Sequence, residues 1–132
     1  MKLDKPRRPT LLVTDQSSLN QLLMELEDDK SVIAIDAERA SGFRYSQRAY
    51  LIQLATRSGT IFMVDPVALS GEPKWNEKLA RVLNSRTWIL HAATQDLPCL
   101  QELDLKPTGI IDTELAARIA VAWSIFRNRC NS

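Results

Sequence analysis

Val32-Ile33-Ala34-Ile35-Asp36-Ala37-Glu38 is the stretch that decides how this chain is read. Its first four residues are apolar and rich in β-branched side chains, as in a strand buried within a sheet. The run then ends in two carboxylates separated by a single alanine. Side chains at i and i+2 of a strand point to the same face, so Asp36 and Glu38 share a face at a strand end. Two like charges there repel, and removing them from water is costly unless a cation or solvent compensates. A hard divalent ion such as Mg²⁺ takes oxygen ligands held close together on a rigid element. The pattern is common, however: nine Asp and seven Glu in 132 residues give about 0.5 Asp-x-Glu pairs by chance. A second pair, Asp112-Thr113-Glu114, opens a helix, where i and i+2 diverge by about 200°. That geometry suits the charge arrangement of a helix N-terminus better than chelation. On these residues alone, a solvated strand end and a metal site both stay open for Asp36 and Glu38.

Working outward, residues 10–14 (TLLVT) read as a short strand. Asp15 or Ser17 then caps a helix over 19–28, with Leu19, Leu22, Leu23 and Leu26 on one face. The strand at 31–38 is followed by a polar loop, 39–48, and by two more apolar runs at 49–55 and 60–64. Thr56-Arg57-Ser58-Gly59 is short enough to close a hairpin, so these three strands form an antiparallel meander. Asp65-Pro66 reads as a turn. Trp75, Leu79, Val82 and Leu83 then have helical spacing, ended by Asn84-Ser85. A buried strand at 87–91 leads to a helix from near 94 to about 103, with Pro98 tolerated only near its first turn. A short strand at 109–111 precedes a last helix, 113–120, capped by Asp112. Strands joined through helices tend to be parallel, so the expected fold is α/β, a mixed sheet with helices against it.

The bulk numbers agree with a single soluble domain: 132 residues, 45% hydrophobic, 25% charged. Seventeen basic against sixteen acidic residues leave a net charge of +1, so any nucleic-acid or membrane signal must be local. No apolar run reaches the roughly 18 residues of a membrane span, and the N-terminus lacks a signal core. Two cysteines, Cys99 and Cys130, are too few for a disulfide scaffold, and a cytoplasmic location is expected. Cys99 reads as a core residue and Cys130 carries nothing catalytic.

A local signal is present. Asp96 follows the strand at 87–91 and, if that strand lies parallel beside 31–38, comes toward Asp36 and Glu38. Its competing reading is a first-turn acid that complements a helix dipole. From 39 to 64 there is no acidic residue, while Arg39, Arg44, Arg48 and Arg57 interleave with Phe43, Tyr45 and Tyr50. Guanidinium pairs with phosphate and aromatic rings stack on bases, so Arg39, Phe43, Arg44, Tyr45 and Arg48 are candidates for holding a single-stranded nucleic acid. A solvated loop is the alternative. A metal-ready acid cluster beside such a loop suits phosphodiester chemistry. His91, the only histidine, reads as structural or peripheral.

The segments from Val32 to Glu38, Tyr50-Leu51-Ile52-Gln53-Leu54-Ala55, His91 to Asp96, and Ile111-Asp112-Thr113-Glu114-Leu115-Ala116 resemble ribonuclease D, a 3′–5′ exoribonuclease of the DEDD superfamily. The resemblance covers residues 10–120, after an irregular basic arm at 1–9 and before a non-matching tail at 121–132. It implies a ribonuclease H-like fold, two divalent metal ions (Mg²⁺ or Mn²⁺), and hydrolysis at a single-stranded RNA 3′ end, with tRNA precursors among the substrates. Onto this sequence it places the metal-binding and catalytic acids at Asp36, Glu38 and Asp96. The family's third motif, Tyr-x-x-x-Asp, has no counterpart: the only tyrosines are Tyr45 and Tyr50, and no Asp follows Asp112. The expectation is therefore an exonuclease domain incomplete at its C-terminus and impaired in activity. Two rivals share the fold, a non-catalytic nucleic-acid-binding module and a 3′–5′ DNA exonuclease.

Overall fold

In a computed structural model, residues 10–39 and 49–130 are described. Strand β1 (Thr10–Val13) leads into helix α1 (Gln16–Asp28), whose start is a reciprocal cap. Asp15 Oδ1 accepts the Ser18 amide at 2.8 Å, and Ser18 Oγ accepts the Asp15 amide at 3.1 Å. Asp15, not Ser17, is thus the cap. Leu19, Leu22 and Leu26 form the buried face of α1, as their spacing predicts.

Strand β2 (Ile33–Arg39) pairs antiparallel with β3 (Ala49–Ala55), and β3 pairs antiparallel with β4 (Ile61–Val64). The meander read from the sequence is present. Its second turn closes with Gly59 donating to the Thr56 carbonyl at 2.9 Å. Gly59 has φ 95°, a conformation that a side chain would strain. Asp65 Oδ1 then accepts the Val67 and Ala68 amides, each at 3.0 Å, turning the chain into a short 3-10 segment at Ala68–Gly71.

Helix α2 (Trp75–Leu83), strand β5 (Thr87–Leu90), helix α3 (Ala93–Gln101), strand β6 (Gly109–Asp112) and helix α4 (Thr113–Cys130) complete the order. Among the described residues six strands form one sheet in the order β1-β4-β3-β2-β5-β6. β5 lies parallel to both β2 and β6, and β1 parallel to β4. The mixed sheet with helices against it is the α/β, ribonuclease H-like architecture expected. No helix among the described residues is long and apolar enough to cross a membrane.

Alternate positions of the central strands enter the core. Ile33, Ile35, Ala37, Ile52, Leu54, Phe62, Val64, Trp88 and Leu90 are buried with the apolar faces of α1, α2 and α3. Trp88 satisfies its indole by donating to the Leu83 carbonyl at 2.9 Å. The intervening residues, such as Ala34, Gln53, Met63 and Ile89, are only half-buried.

Besides shifts of one to three residues at several element ends, three features differ from the sequence reading. β5 ends at Leu90 because Ala92 turns the chain with φ 53°. Pro98 is the sixth residue of α3 rather than part of its first turn, so the Thr94 carbonyl receives no amide from it. α4 continues past 120 to Cys130, since no glycine or proline interrupts it.

Candidate active site

The sheet register places the acids. Asp36 lies opposite Gln53 and Glu38 opposite Leu51 on β3, and a register shift follows between Glu38 and Arg39. On the other side, β2 pairs with β5 through Ile33 with Trp88 and Ala34 with Ile89. Asp36 and Glu38 therefore stand beyond the last paired residues of β5, at the carboxyl end of the parallel pair. Both are exposed, while Ala37 between them is buried, so the two carboxylates share the open face that the i, i+2 spacing implies. Among the described residues neither pairs with a cation. Two oxygen donors on one rigid strand are a donor set that fits a hard divalent ion.

Asp96 occupies the first turn of α3, the helix that begins where β5 ends, and is half-buried. The parallel pairing of β2 and β5 thus puts its helix at the strand end where Asp36 and Glu38 stand. The side chains nevertheless do not close into one ligand set: among the described residues no three His, Cys, Asp or Glu lie close enough to hold a metal. Arg39 ends β2 at the register shift. Phe43, Arg44, Tyr45 and Arg48 lie outside the described residues.

The 3′–5′ exonuclease family matches residues 11–122, a span that contains all three acids. The chain belongs to that 3′–5′ exonuclease family. It is similar to a solved protein from Bifidobacterium adolescentis at 36% identity and a TM-score of 0.75, over 88% of this chain and 28% of the other. It is similar to Escherichia coli RNase D at 25% identity and a TM-score of 0.65, over 83% of this chain and 28% of that one. The EXO domain of Aedes aegypti Nibbler shares the fold, at 23% identity and a TM-score of 0.72, over 89% of this chain and 59% of that one. The exonuclease chain thus spans between about a quarter and three-fifths of the length of these structures. No curated protein matches it.

Two groups missed as organisers of this exonuclease domain tie its elements together, Asp112 at the carboxyl end of the parallel strands and Arg86 at their amino end. Asp112, expected only to cap α4, also holds the start of α3. Its Oδ2 accepts the Ala93 amide at 2.9 Å and its Oδ1 the Ala92 amide at 3.2 Å. The same Oδ1 accepts Glu114 at 3.0 Å and Leu115 at 3.2 Å. These hydrogen bonds, led by that from Ala93, hold the Asp112 carboxyl below the usual range. Arg86 is the second. Buried, it donates from Nε to the Val82 carbonyl at 2.8 Å, from Nη1 to Asp29 at 2.5 Å and Ser31 at 3.2 Å, and from Nη2 to Leu26. It thereby ties the end of α2 to the end of α1 and the lead into β2. His91 stays peripheral, its Nδ1 2.9 Å from Thr113 Oγ1.

Two surface cavities lie elsewhere. One of about 410 Å³ is lined by Leu26, Lys30, Arg81 and Arg86, and one of about 320 Å³ by Pro66, Trp75 and Asn76. Asp36 and Glu38 are instead exposed at the end of a strand.

Proposed function

We propose that this chain is a metal-dependent 3′–5′ exoribonuclease domain acting at single-stranded RNA 3′ ends, with Asp36, Glu38 and Asp96 as its metal-binding acids. The observation that carries the reading is the exposed Asp36–Glu38 face at the carboxyl end of the parallel β2–β5 pair, inside the matched family span. Bound divalent ions, two in this reading and Mg²⁺ or Mn²⁺ by donor type, would neutralise the scissile phosphate and lower the pKa of the attacking water. In this reading Asp36 and Glu38 would present oxygens from β2, and Asp96 would add its own by turning toward them from α3. Arg39, Phe43, Arg44, Tyr45 and Arg48 would hold the strand through phosphate pairing and base stacking. RNA is preferred over DNA because the similar E. coli protein is an exoribonuclease involved in structured RNA processing. tRNA precursors are structured RNAs of that kind, and a cytoplasmic location follows from such substrates.

The 132-residue sequence contains no Tyr-x-x-x-Asp after Asp96. Without a residue to orient water and a fourth carboxylate, this chain alone is slow. A positioned proton-transfer group contributes about 10²–10⁴-fold, and ordinary enzymes turn over about ten times per second. The expected rate is therefore on the order of 10⁻¹ to 10⁻³ per second. The failure of the three acids to converge favours one second reading, a module that binds nucleic acid without cutting it.

The test is a 5′-labelled single-stranded RNA and its DNA counterpart, incubated with the chain, with Asp36→Ala, and with Mn²⁺, Mg²⁺ or EDTA. Slow shortening from the 3′ end of RNA, lost with EDTA and in Asp36→Ala, is expected. Rapid trimming at ordinary enzyme rates would overturn the impaired site. Faster shortening of the DNA would make this a DNA exonuclease, and metal-independent binding without turnover would leave the binding module.

A further inference from the structure

α3 starts without a cap of its own. Its N-cap residue is Ala92, which has no side-chain acceptor and sits in the left-handed region at φ 53°, ψ 61°. An alanine pays roughly 1 kcal/mol for that conformation and keeps it only where the surroundings enforce it. The enforcing group, Asp112, is twenty residues from Ala92, beyond the rest of α3 and at the end of β6. Leu90 of β5 lies opposite Asp112 of β6 in the parallel register, and the Asp112 carboxylate reaches back across that pair to both amides of the Ala92-Ala93 joint. It also accepts two amides of α4. One carboxylate therefore caps two helices, and the first of them carries Asp96 at its fourth position.

We propose that Asp112 is a positioning residue for the acid site: by joining the first turns of α3 and α4 it sets where Asp96 stands relative to Asp36 and Glu38. The inference rests on the metal-site reading above. Asp112 itself touches no metal or substrate in this role, since its oxygens are spent on four amides. The two oxygens are not equivalent. Oδ1 takes Ala92, Glu114 and Leu115, whereas Oδ2 takes Ala93 alone. An asparagine with its oxygen at the Oδ1 position keeps the α4 cap, but turns an NH₂ group toward the Ala93 N–H, donor against donor. Asp112→Asn is thus expected to release α3 selectively.

The experiment titrates the full chain with Mn²⁺, following the free ion by EPR, for the parent, Asp36→Ala, Asp112→Asn and Ser18→Ala. Ser18→Ala removes half of the α1 capping box and serves as a destabilised control far from α3. Mn²⁺ binding lost in Asp36→Ala, weakened about 10- to 100-fold in Asp112→Asn and little changed in Ser18→Ala is the expected result. In amide spectra, Thr94, Gln95 and Asp96 should move in Asp112→Asn while residues 116–120 stay in place. Adding Ala92→Gly, which adopts the left-handed turn freely, should restore part of the affinity. If Asp112→Asn does not fold, the A92G/D112N pair carries the same comparison. Binding that depends on Asp36 but not on Asp112 overturns the positioning role and leaves the metal site standing, as does an equal loss in Ser18→Ala. Mn²⁺ binding that is absent from the parent, or insensitive to Asp36→Ala, overturns the metal-site reading and this inference with it.

Discussion

Asp112 shows how much one side chain can organise when both of its oxygens are used. Its carboxyl is held below the ordinary value, first by the Ala93 amide and then by Leu115, Ala92 and Glu114, while burial opposes them. Asp15 and Asp29 are lowered too, each led by a serine side chain, Ser18 and Ser31 respectively. A folded-state pKa below the unfolded one means that the stabilisation is complete above the unfolded value, about 3.9. It is lost as the pH falls from there through the folded value. The chain is therefore expected to lose stability on acidification below about pH 4, with Asp112→Asn losing less over that interval because it has no proton to gain. Urea midpoints at pH 6 and pH 3 measure this. An identical pH dependence in the variant would show that the four amides do not favour the ionised form. The sequence marked Asp112 as a cap because it precedes a helix, yet its hold on Ala92 and Ala93 depends on a neighbouring parallel strand. No local pattern records that contact.

Elements are held in place here as much by backbone carbonyls as by apolar faces. The guanidinium of Arg86 gathers the carbonyls of Leu26 and Asp29 at the end of α1, Ser31 before β2, and Val82 in α2. Burial pushes its pKa down, opposed by Asp29, but an arginine stays charged, so the carbonyl oxygens must supply the compensation. Replacing it with methionine keeps the apolar stem and leaves those carbonyls without their donor. Hydrogen bonds to charged groups contribute about 1.5–3 kcal/mol each, not additively, so Arg86→Met is expected to cost about 3 kcal/mol in urea unfolding. A loss below about 0.5 kcal/mol would mean that water replaces the guanidinium at no cost. The same contrast explains what was legible in advance. The apolar run at 49–55 and the leucine spacing in α1 record burial directly, so β3 and the face of α1 follow from sequence. Arg86 reaches carbonyls 55 to 60 positions away, and a carbonyl is present at every residue, so nothing in the sequence marks the pairing. The end of β5 at Leu90 is set by a left-handed turn at Ala92, a residue type that does not announce such a conformation.

At the scale of the molecule, the elements around the candidate site are of unequal firmness. Asp36 and Glu38 belong to a central strand between two partners, whereas α4 leaves the sheet edge and, among the described residues, packs mainly against β6. Leu115, Ile119 and Ile125 are 55%, 61% and 51% exposed, on a helix held at its start by Asp112 and the Glu114–Arg118 ion pair at 2.7 Å. An isolated helix of this length is marginal in water, because few hydrogen bonds repay its nucleation. Its opening free energy should lie near zero, while central strands open only with the whole domain at 5 kcal/mol or more, about the lower end for native proteins. At 1.4 kcal/mol per factor of ten, that gap corresponds to at least about 10³-fold in amide exchange. Amides of 119–130 are therefore expected to exchange at least about 10³-fold faster than those of Ile33–Arg39 and Thr87–Leu90. Measuring at two protein concentrations separates intrinsic protection from association, since an apolar helix buried between copies would gain protection as concentration rises. Protection of α4 equal to that of β2 at the lower concentration would mean that the helix is docked in solution. Asp112 would then anchor α3 against a packed neighbour rather than a free helix, and the site would owe its shape to α4 as well as to the sheet.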